Sequence, residues 1–290
     1  MRTGIVVEGG GMRGIYGAGV LDVLLEDDIE ADGLIGVSAG AIHGCSFVSG
    51  QKGRSIRYNL KYSRDPRYMS MRSLIRTGDM FGIDFCYHEL PEKLDPFDNE
   101  TFEAARTEYY VTCTDVETGR PVYHHCPSLR GNLIDWVRAS ASMPLASRIV
   151  ELDGRKLLDG GVADSIPVMA FRKMGFKKNL VILTRPAGYR KKPNPMMPMI
   201  RRVFREYPEF VETAACRHLV YNRELDEISR LEREGEILVI RPSQRIEISR
   251  TERRPERIEQ MYRLGREDAL KALSDIKEFM GASGKRKGDL

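Results

Sequence analysis

The stretch Ile35-Gly36-Val37-Ser38-Ala39-Gly40-Ala41 places a serine between two glycines, after an apolar strand-like segment and before a helix of small residues that runs to Val48. In the pattern G-x-S-x-G, a sharp turn from strand to helix holds the central serine in a strained conformation with its hydroxyl exposed. Gly36 and Gly40 suit this turn because a Cβ at either position would collide with neighbouring backbone. The stretch therefore predicts Ser38 as a candidate nucleophile.

Bulk composition indicates one globular domain. The chain has 290 residues, of which 41% are hydrophobic and 30% charged, so a sizeable single core can form. No Pro/Gly/Ser-rich linker divides it, and we expect one domain over residues 1–280 followed by a disordered polar tail over 281–290. A net charge of +4, from 46 basic and 42 acidic residues, argues against a dedicated nucleic-acid-binding protein.

Several other classes of protein are also disfavoured. The five cysteines are scattered without a C-x-x-C pair, so neither a disulfide framework nor a zinc site is expected. The N-terminus is too short and too quickly acidic for a signal peptide, and no apolar run reaches the length of a membrane span. We therefore expect a cytoplasmic protein. One basic segment is either an exposed mobile loop or a contact for an anionic membrane or head group; it contains Arg190, Lys191, Lys192, Arg201, Arg202 and Arg205.

The first forty residues predict a parallel α/β unit. Thr3–Glu8 has the pattern of a short buried strand, Gly9–Gly14 is a glycine loop, and Ile15–Glu26 is a helix with an apolar stripe. Leu34–Val37 supplies the next strand, so a layered α/β sheet is expected. Catalytic groups in such sheets gather at the carboxyl ends of the strands. The glycine loop and Ser38 should therefore be neighbours in space.

Further elements follow along the chain. The patterns predict hairpins over 108–125 and 149–158, a helix that Asp164 or Ser165 caps with Pro167 in its first turn, and helices over 206–233 and 255–280. An aromatic cluster over 80–85 either lines an entrance for an apolar substrate or packs under a long connection.

The glycine loop Gly9–Gly14 permits two interpretations. It fits G-x-G-x-x-G between a strand and a helix, the pattern of a dinucleotide fold, but the second strand ends at Val37-Ser38 without the acidic residue that would bind the ribose. Alternatively, the loop presents backbone N–H groups to an oxyanion, which contributes several kcal/mol to lowering a barrier. Arg13 would then either assist electrostatically or anchor the loop.

A serine nucleophile requires a base, and the best candidate is not a histidine. His43 lies five residues after Ser38 on the predicted helix, about 140° around it, and should point elsewhere. The remaining histidines lack a strand-end context; they are His88, His124, His125 and His218. Asp159 follows an apolar strand and precedes Gly160 and Gly161, and a carboxylate there can accept the serine proton directly.

These three motifs resemble the patatin-like phospholipase family over roughly residues 3–185, whereas the helical part over 186–280 matches no motif. The resemblance rests on the glycine loop, the Ser38 pentapeptide and Asp159-Gly160-Gly161, with supporting stretches at 112–119 and 138–144. Two positions depart from the family pattern: Ser165 stands where asparagine is frequent, and Leu145 follows Pro144.

The resemblance implies a three-layer α/β/α sandwich with a mostly parallel central sheet and a Ser38–Asp159 dyad that uses no metal and no organic cofactor. It assigns the oxyanion hole to the N–H groups of Gly10, Gly11 and Met12. Supporting roles fall to the remaining motif residues, which are Gly9, Arg13, Gly14, Gly36, Gly40, Gly160 and Gly161.

The resulting hypothesis is a serine acyl hydrolase that acts on lipid esters through an acyl-enzyme, with peripheral membrane contact left open. An esterase or thioesterase for a soluble acyl substrate would use the same chemistry. A nucleotide-binding regulatory module built on Gly9–Gly14 and a non-catalytic scaffold are the alternatives of another class. The sequence carries no indication of an oligomeric state.

Overall fold

Eight strands form one sheet in the computed structural model, which describes residues 1–128 and 132–281. They are β1 (Arg2–Val7), β2 (Gly33–Val37), β3 (Glu108–Asp115), β4 (Pro121–His125), β5 (Val150–Leu152), β6 (Arg155–Asp159), β7 (Phe176–Ile182) and β8 (Ile237–Ile240). The tail that was expected to be disordered lies outside the described residues, except for Gly281.

The centre of the sheet is parallel, as the βαβ pattern predicts. β1 pairs in parallel with β2 on one side and with β7 on the other, and β2–β3 and β7–β8 continue the parallel arrangement. β4, β5 and β6 add antiparallel pairs at one end and form the two predicted hairpins. The carboxyl ends of β1 and β2 therefore lie side by side.

β3 is the strand that brings two distant segments together. Cys113 and Thr114 pair with β4 and also with β6, so these two strands lie on opposite edges of β3. Thr112 pairs with β2 on one edge of β3 and with β4 on the other. β2 therefore lies on the same edge of β3 as β6. Val37, the last residue of β2, is opposite Thr112, and Asp159, the last residue of β6, is opposite Cys113. The ends of β2 and β6 thus meet head to head on one edge.

Helices cover both faces of the sheet within the described residues. They are α1 (Ile15–Glu26), α2 (Ala39–Val48), α3 (Arg54–Tyr62), α4 (Met71–Thr77), α5 (Asn99–Ala104), α6 (Leu133–Ala141), α7 (Val168–Lys173), α8 (Met197–Val203), α9 (Pro208–Arg233), α10 (Pro255–Lys271) and α11 (Leu273–Met280). A π-helical segment, Phe85–Leu94, precedes α5. In this part of the chain, none of the helices has the length and apolarity to cross a membrane.

The alternation of side chains along β1 divides the core into two layers. Ile5 and Val7 pack with α1, α2, α6, α10 and α11 on one face, whereas Val6 packs with α7 and α9 on the other. All three side chains are fully buried, as expected for a central strand that is covered on both faces. The structure therefore confirms the three-layer α/β/α sandwich.

Three local predictions differ from the structure. The single helix predicted over 255–280 is interrupted at Ala272, where φ −94° and ψ 6° end α10 before α11 turns Ile276 and Met280 into the core. α7 begins only at Val168, after Pro167. Neither Asp164 nor Ser165 caps it: Asp164 Oδ1 accepts a hydrogen bond from the Ile166 amide in the preceding turn (3.2 Å), and Ser165 Oγ donates to the Gly161 carbonyl oxygen (2.8 Å).

Candidate active site

Ser38 occupies the turn between β2 and α2 with φ 55° and ψ −122°, a conformation that costs a non-glycine residue on the order of 1–3 kcal/mol. The surrounding packing enforces this turn. A Cβ on Gly36 would lie 2.5 Å from Ala41 Cα, and one on Gly40 would overlap the Val7 carbonyl oxygen. The expected exposed hydroxyl is instead recessed: Ser38 is only 5% exposed, because it faces two cavities rather than the open surface.

Ser38 Oγ donates a hydrogen bond of 2.7 Å to Asp159 Oδ2. The two residues are 121 positions apart in sequence, and their meeting follows from the head-to-head arrangement of β2 and β6 on β3. Asp159 is 6% exposed, so both partners are largely shielded from water. The structure thus brings together the serine and the carboxylate that sequence reasoning selected.

The Asp159 carboxylate is held in a defined orientation. Its Oδ1 accepts a hydrogen bond from the Gly161 amide (2.8 Å), which leaves Oδ2 directed at Ser38. The main chain is also fixed, because the Asp159 amide donates to the Ser142 carbonyl oxygen (2.8 Å) and Thr114 Oγ1 donates to the Asp159 carbonyl oxygen (2.8 Å). A side chain positioned in this way loses little conformational entropy when it reacts.

Ser140 supports the serine turn and was missed as an individual residue by sequence reasoning. The Ser38 amide donates to Ser140 Oγ (2.8 Å), and Ser140 Oγ donates to the Thr112 carbonyl oxygen (2.6 Å). This buried bridge ties the turn after β2 to β3. The only sequence signal was its place in the stretch 138–144, which resembles the family without assigning a role.

The glycine loop lies against Ser38, as predicted. A Cβ on Gly9 would lie 2.8 Å from Ser38 Cβ, and Gly10 (φ 154°) and Gly11 (φ 58°) both adopt positive φ. No hydrogen-bond acceptor for the Gly10 or Gly11 amide is present within residues 1–128 and 132–281. These two N–H groups are thus available to a bound oxyanion.

Met12 differs from its two glycine neighbours in the loop. Its amide donates a hydrogen bond of 3.0 Å to the Arg250 carbonyl oxygen. That N–H group is therefore occupied, so among the three expected oxyanion donors only the Gly10 and Gly11 amides lack an acceptor in the described part of the chain. The contact also fastens the loop to the segment that follows β8.

The histidines make contacts other than with Ser38. His43 Nδ1 lies 2.9 Å from Ser55 Oγ, and burial lowers the pKa of His43 to about 4, so its ring is neutral at physiological pH. His124 stacks on Trp136 with ring centroids 3.7 Å apart. His218 Nδ1 lies 3.1 Å from the Ala215 carbonyl oxygen on α9. A carboxylate, not an imidazole, is thus the hydrogen-bond partner of the candidate nucleophile.

Two cavities open on either side of Ser38, and both are also lined by Gly11 and Met143. The apolar cavity, of about 130 Å³, lies between α2, α6 and the segment after α4. Its walls include Ile42, Phe81, Ile83, Leu90 and Val137. The cationic cavity, of about 300 Å³, lies toward α9. Its walls include Arg13, Arg185, Lys191, Arg217 and Arg250.

The aromatic cluster over 80–85 divides between a cavity wall and the packed interior. Phe81 and Ile83 line the apolar cavity. Phe85 is 4% exposed and packs edge-on against Tyr62, with ring centroids 5.2 Å apart. The segment therefore combines a cavity wall with ordinary packing, and its role toward an apolar substrate stays a prediction.

The basic segment over 190–205 does not behave as one exposed loop. The Lys191 amide donates to Asn222 Oδ1 (2.8 Å), which fastens this part to α9, and the Lys191 side chain lines the cationic cavity. Arg201, Arg202 and Arg205 are exposed on and after α8.

Arg13 lines the cationic cavity and makes no side-chain hydrogen bond to the described residues, so it does not anchor the glycine loop in that way.

A serine on a strained strand-to-helix turn, bonded to a carboxylate at the carboxyl edge of an α/β/α sheet, is the arrangement of a serine hydrolase. A family model described as patatin-like phospholipase matches residues 5–172, and the chain belongs to this family. A second model, described as a domain of unknown function, matches residues 207–281, where sequence reasoning found no motif.

Similar proteins include one from Escherichia coli (strain K12) named uncharacterized protein YjjU, which is 31% identical over 192 residues, 64% of this chain and 53% of that protein. Lysophospholipase nte1 of Aspergillus terreus is 30% identical over 186 residues, 60% of this chain and 11% of that protein. The match therefore spans about half of the bacterial relative and about a ninth of the fungal one. VipD from Legionella pneumophila has a TM-score of 0.48 at 13% identity, covering 94% of this chain and 67% of that one.

Proposed function

We propose that this protein hydrolyses lipid acyl esters, with Ser38 as nucleophile, Asp159 as general base and the Gly10 and Gly11 amides as the oxyanion hole. The observation that carries the proposal is the 2.7 Å hydrogen bond from Ser38 Oγ to Asp159 Oδ2 on a turn with positive φ. A nucleophile within hydrogen-bonding distance of an oriented base is the geometry that covalent acyl transfer requires.

The reaction proceeds in two halves. Ser38 Oγ attacks the ester carbonyl carbon while its proton passes to Asp159 Oδ2, and the oxyanion accepts hydrogen bonds from the two glycine amides. The C–O bond to the alcohol then breaks, and Asp159 returns the proton to the departing alkoxide. In the second half, a water oxygen bonds to the acyl carbonyl carbon while Asp159 takes a proton from the water. The acyl–Oγ bond then breaks, the free acid leaves, and Asp159 returns the proton to Ser38 Oγ.

The two cavities suggest how a substrate lies. The apolar cavity suits the acyl chain, because burying each CH₂ group contributes about 0.8 kcal/mol. The name of the fungal relative, a lysophospholipase, supports a lipid rather than a soluble substrate. A soluble ester or thioester remains the second candidate with the same chemistry. A panel of phospholipids against short-chain esters separates the two.

Labelling with a fluorophosphonate probe tests the reaction class. We expect one covalent adduct, which peptide mapping locates at Ser38, because the probe requires an activated serine beside an oxyanion hole. Heat-unfolded protein, in which the Ser38–Asp159 contact is lost, is the control and should not react. An intact folded protein without an adduct would contradict the proposal and favour the nucleotide-binding module, which titration with NAD or ATP then examines.

We further propose a peripheral contact with an anionic lipid surface through α8. Two apolar side chains stand out from this helix, Met199 (51% exposed) and Val203 (57% exposed), beside the exposed Arg201 and Arg202. Ile200 on the same helix lines the cationic cavity, so α8 borders the site. Exposed apolar residues flanked by arginines suit an interface where chains enter the lipid and cations meet acidic head groups.

The double substitution M199S/V203S should weaken binding to vesicles that contain anionic lipid by about 5- to 30-fold, because about 1–2 kcal/mol of apolar transfer free energy is lost. Vesicle co-sedimentation measures the effect. L270S on α10, where Leu270 is 50% exposed, is the matched control and should change nothing. Hydrolysis of a monomeric ester should be unaffected by either change; equal vesicle binding by both variants would reject α8 as the contact.

A further inference from the structure

The cationic cavity has an uncompensated positive charge. Five cationic side chains line it: Arg13, Arg185, Lys191, Arg217 and Arg250. None of them forms an ion pair with a carboxylate among the described residues. Arg13 is 8% exposed, and its buried Nε has no hydrogen-bond partner in this part of the chain. A buried guanidinium nitrogen without an acceptor is costly, and a bound anion would supply one.

The two carboxylates in the cavity wall are already engaged with other groups. Glu8 Oε2 accepts hydrogen bonds from the Thr184 amide (2.6 Å) and its hydroxyl, and Glu8 Oε1 accepts one from the Tyr221 hydroxyl (2.7 Å). Asp159 is bonded to Ser38 and Gly161. Neither acid therefore provides a direct hydrogen-bonded counter-ion for the five cations.

Neutral groups hold the cations in place. The Lys191 ammonium lies 3.6 Å from the centroid of the Tyr221 ring, and the Arg185 guanidinium lies 4.4 Å from that of Tyr189. Arg217 donates from Nε to the Gly161 carbonyl oxygen. Cation–π contacts and carbonyl acceptors orient a charge without neutralising it. The cations are therefore positioned, and their charge is left for a ligand.

Burial and the neighbouring cations make the protonated form of Lys191 costly. Burial, followed by the charges of Arg217 and Arg250, lowers the pKa of Lys191 to about 6, although Glu8 and Glu224 act in the opposite direction. Glu224 offers little compensation, because burial and the nearby Asp164 raise its pKa well above the ordinary range of a carboxyl group. An anion in the cavity would stabilise the protonated lysine.

We infer that the cationic cavity is a phosphate-binding subsite for the alcohol side of the substrate. This inference rests on the proposed function: with the acyl chain in the apolar cavity and the ester at Ser38, the departing alcohol points into the cationic cavity. The substrate class is then a monoacyl ester whose alcohol carries a phosphate group. Lys191, Arg217 and Arg250 lie outside residues 5–172, so the C-terminal third supplies this selectivity.

A matched pair of variants tests the subsite. K191M removes a cation from the cavity wall, whereas K192M removes an adjacent exposed lysine that does not line it. The substrates are a monoacylglycerol 3-phosphate and the monoacylglycerol with the same chain. A charge-assisted hydrogen bond contributes roughly 1.5–3 kcal/mol, so K191M should lower kcat/KM for the phosphate ester about 10- to 100-fold. K191M should change kcat/KM for the neutral ester by no more than about twofold. K192M should leave kcat/KM for both esters unchanged within the same margin.

Equal effects of K191M on the two esters, or no effect on either, would overturn the inference. R185Q provides an independent removal of charge in case K191M is poorly folded, and the same selective loss is expected from it. Arg217 is unsuitable for this purpose because its contact with Gly161 also supports the loop of Asp159.

A binding measurement separates the subsite from catalysis and distinguishes a substrate phosphate from a free one. Calorimetric titration of the S38A protein with inorganic phosphate should show binding that K191M weakens about tenfold. Phosphate binding without hydrolysis of any ester would leave the anion site in place and reject the proposed function. Ester hydrolysis without charge discrimination or phosphate binding would keep the proposed function and reject the anion site. Phosphate binding together with indifference to the phosphate on the ester would overturn the assignment to the alcohol side.

Discussion

S38A is expected to lower kcat for ester hydrolysis by about 10⁵-fold, since loss of a serine nucleophile has effects of this order in enzymes that form an acyl-enzyme. Alanine cannot form the covalent intermediate, and the residual rate reflects only the oxyanion donors and substrate binding. Steady-state assays on a lipid ester, together with loss of the fluorophosphonate adduct, measure the effect. A variant that retained a tenth of the activity would remove Ser38 from the mechanism.

The stability of two Ser38 variants provides the structural control. Ser38 has φ 55° and ψ −122°, a region open to glycine and strained for alanine. S38G should therefore have a free energy of unfolding about 1 kcal/mol higher than S38A, as denaturant titration would show. Both variants should be folded and inactive. This result separates the loss of chemistry from a loss of structure.

D159N is expected to lower kcat by about 10⁴-fold while the fold is retained, by analogy with the acid-to-amide effect in serine hydrolases. The Gly161 amide donates to Oδ1 of the native carboxylate, so the amide oxygen of asparagine should take that position. The NH₂ group then faces Ser38 Oγ at the site of Oδ2 and donates to it, whereas Oδ2 accepts the serine proton. Asparagine thus both removes the base and engages the nucleophile lone pair.

A second Asp-Gly turn provides the matched control for D159N. Asp153 precedes Gly154 in the tight hairpin turn between β5 and β6, is exposed, and has no contact with Ser38. D153N should leave kcat within about twofold. The rate of fluorophosphonate labelling should fall in D159N and not in D153N, because probe attack also needs the base. Equal labelling rates in the two variants would assign Asp159 a purely structural role.

Local sequence patterns were sufficient for the elements that build the sheet. The βαβ unit, both hairpins and the long α9 were predicted nearly within their bounds, because apolar strands next to glycine turns and amphipathic helices are decided mainly by neighbouring residues. The secondary structure of residues 63–104 was not predicted. There α4, the π-helical Phe85–Leu94 segment and α5 are short, and packing around Tyr62, Tyr68 and Phe85 decides their structure.

The chemical components of the site were identifiable from sequence because each needs a particular residue type in a particular turn. Ser38 requires Gly36 and Gly40 for steric reasons, and Asp159 stands in an Asp-Gly-Gly turn after an apolar strand. The sequence motifs did not reveal that Ser140 bridges the serine turn to β3, or that the Arg250 carbonyl oxygen accepts a hydrogen bond from the Met12 amide. Both contacts join segments more than 100 residues apart, and no local signal marks them.

By itself, the sequence determined the order of the α/β elements, the serine turn and the types of residue offered for catalysis, since these depend on steric and periodic constraints among near neighbours. The tertiary structure alone decided which groups meet. The register of β2 and β6 on β3 places Asp159 beside Ser38, and the packing of α9 turns Lys191 and Arg217 into a cavity instead of the solvent. Long-range pairing and burial set these distances and charges, and neither is encoded in any single stretch of the chain.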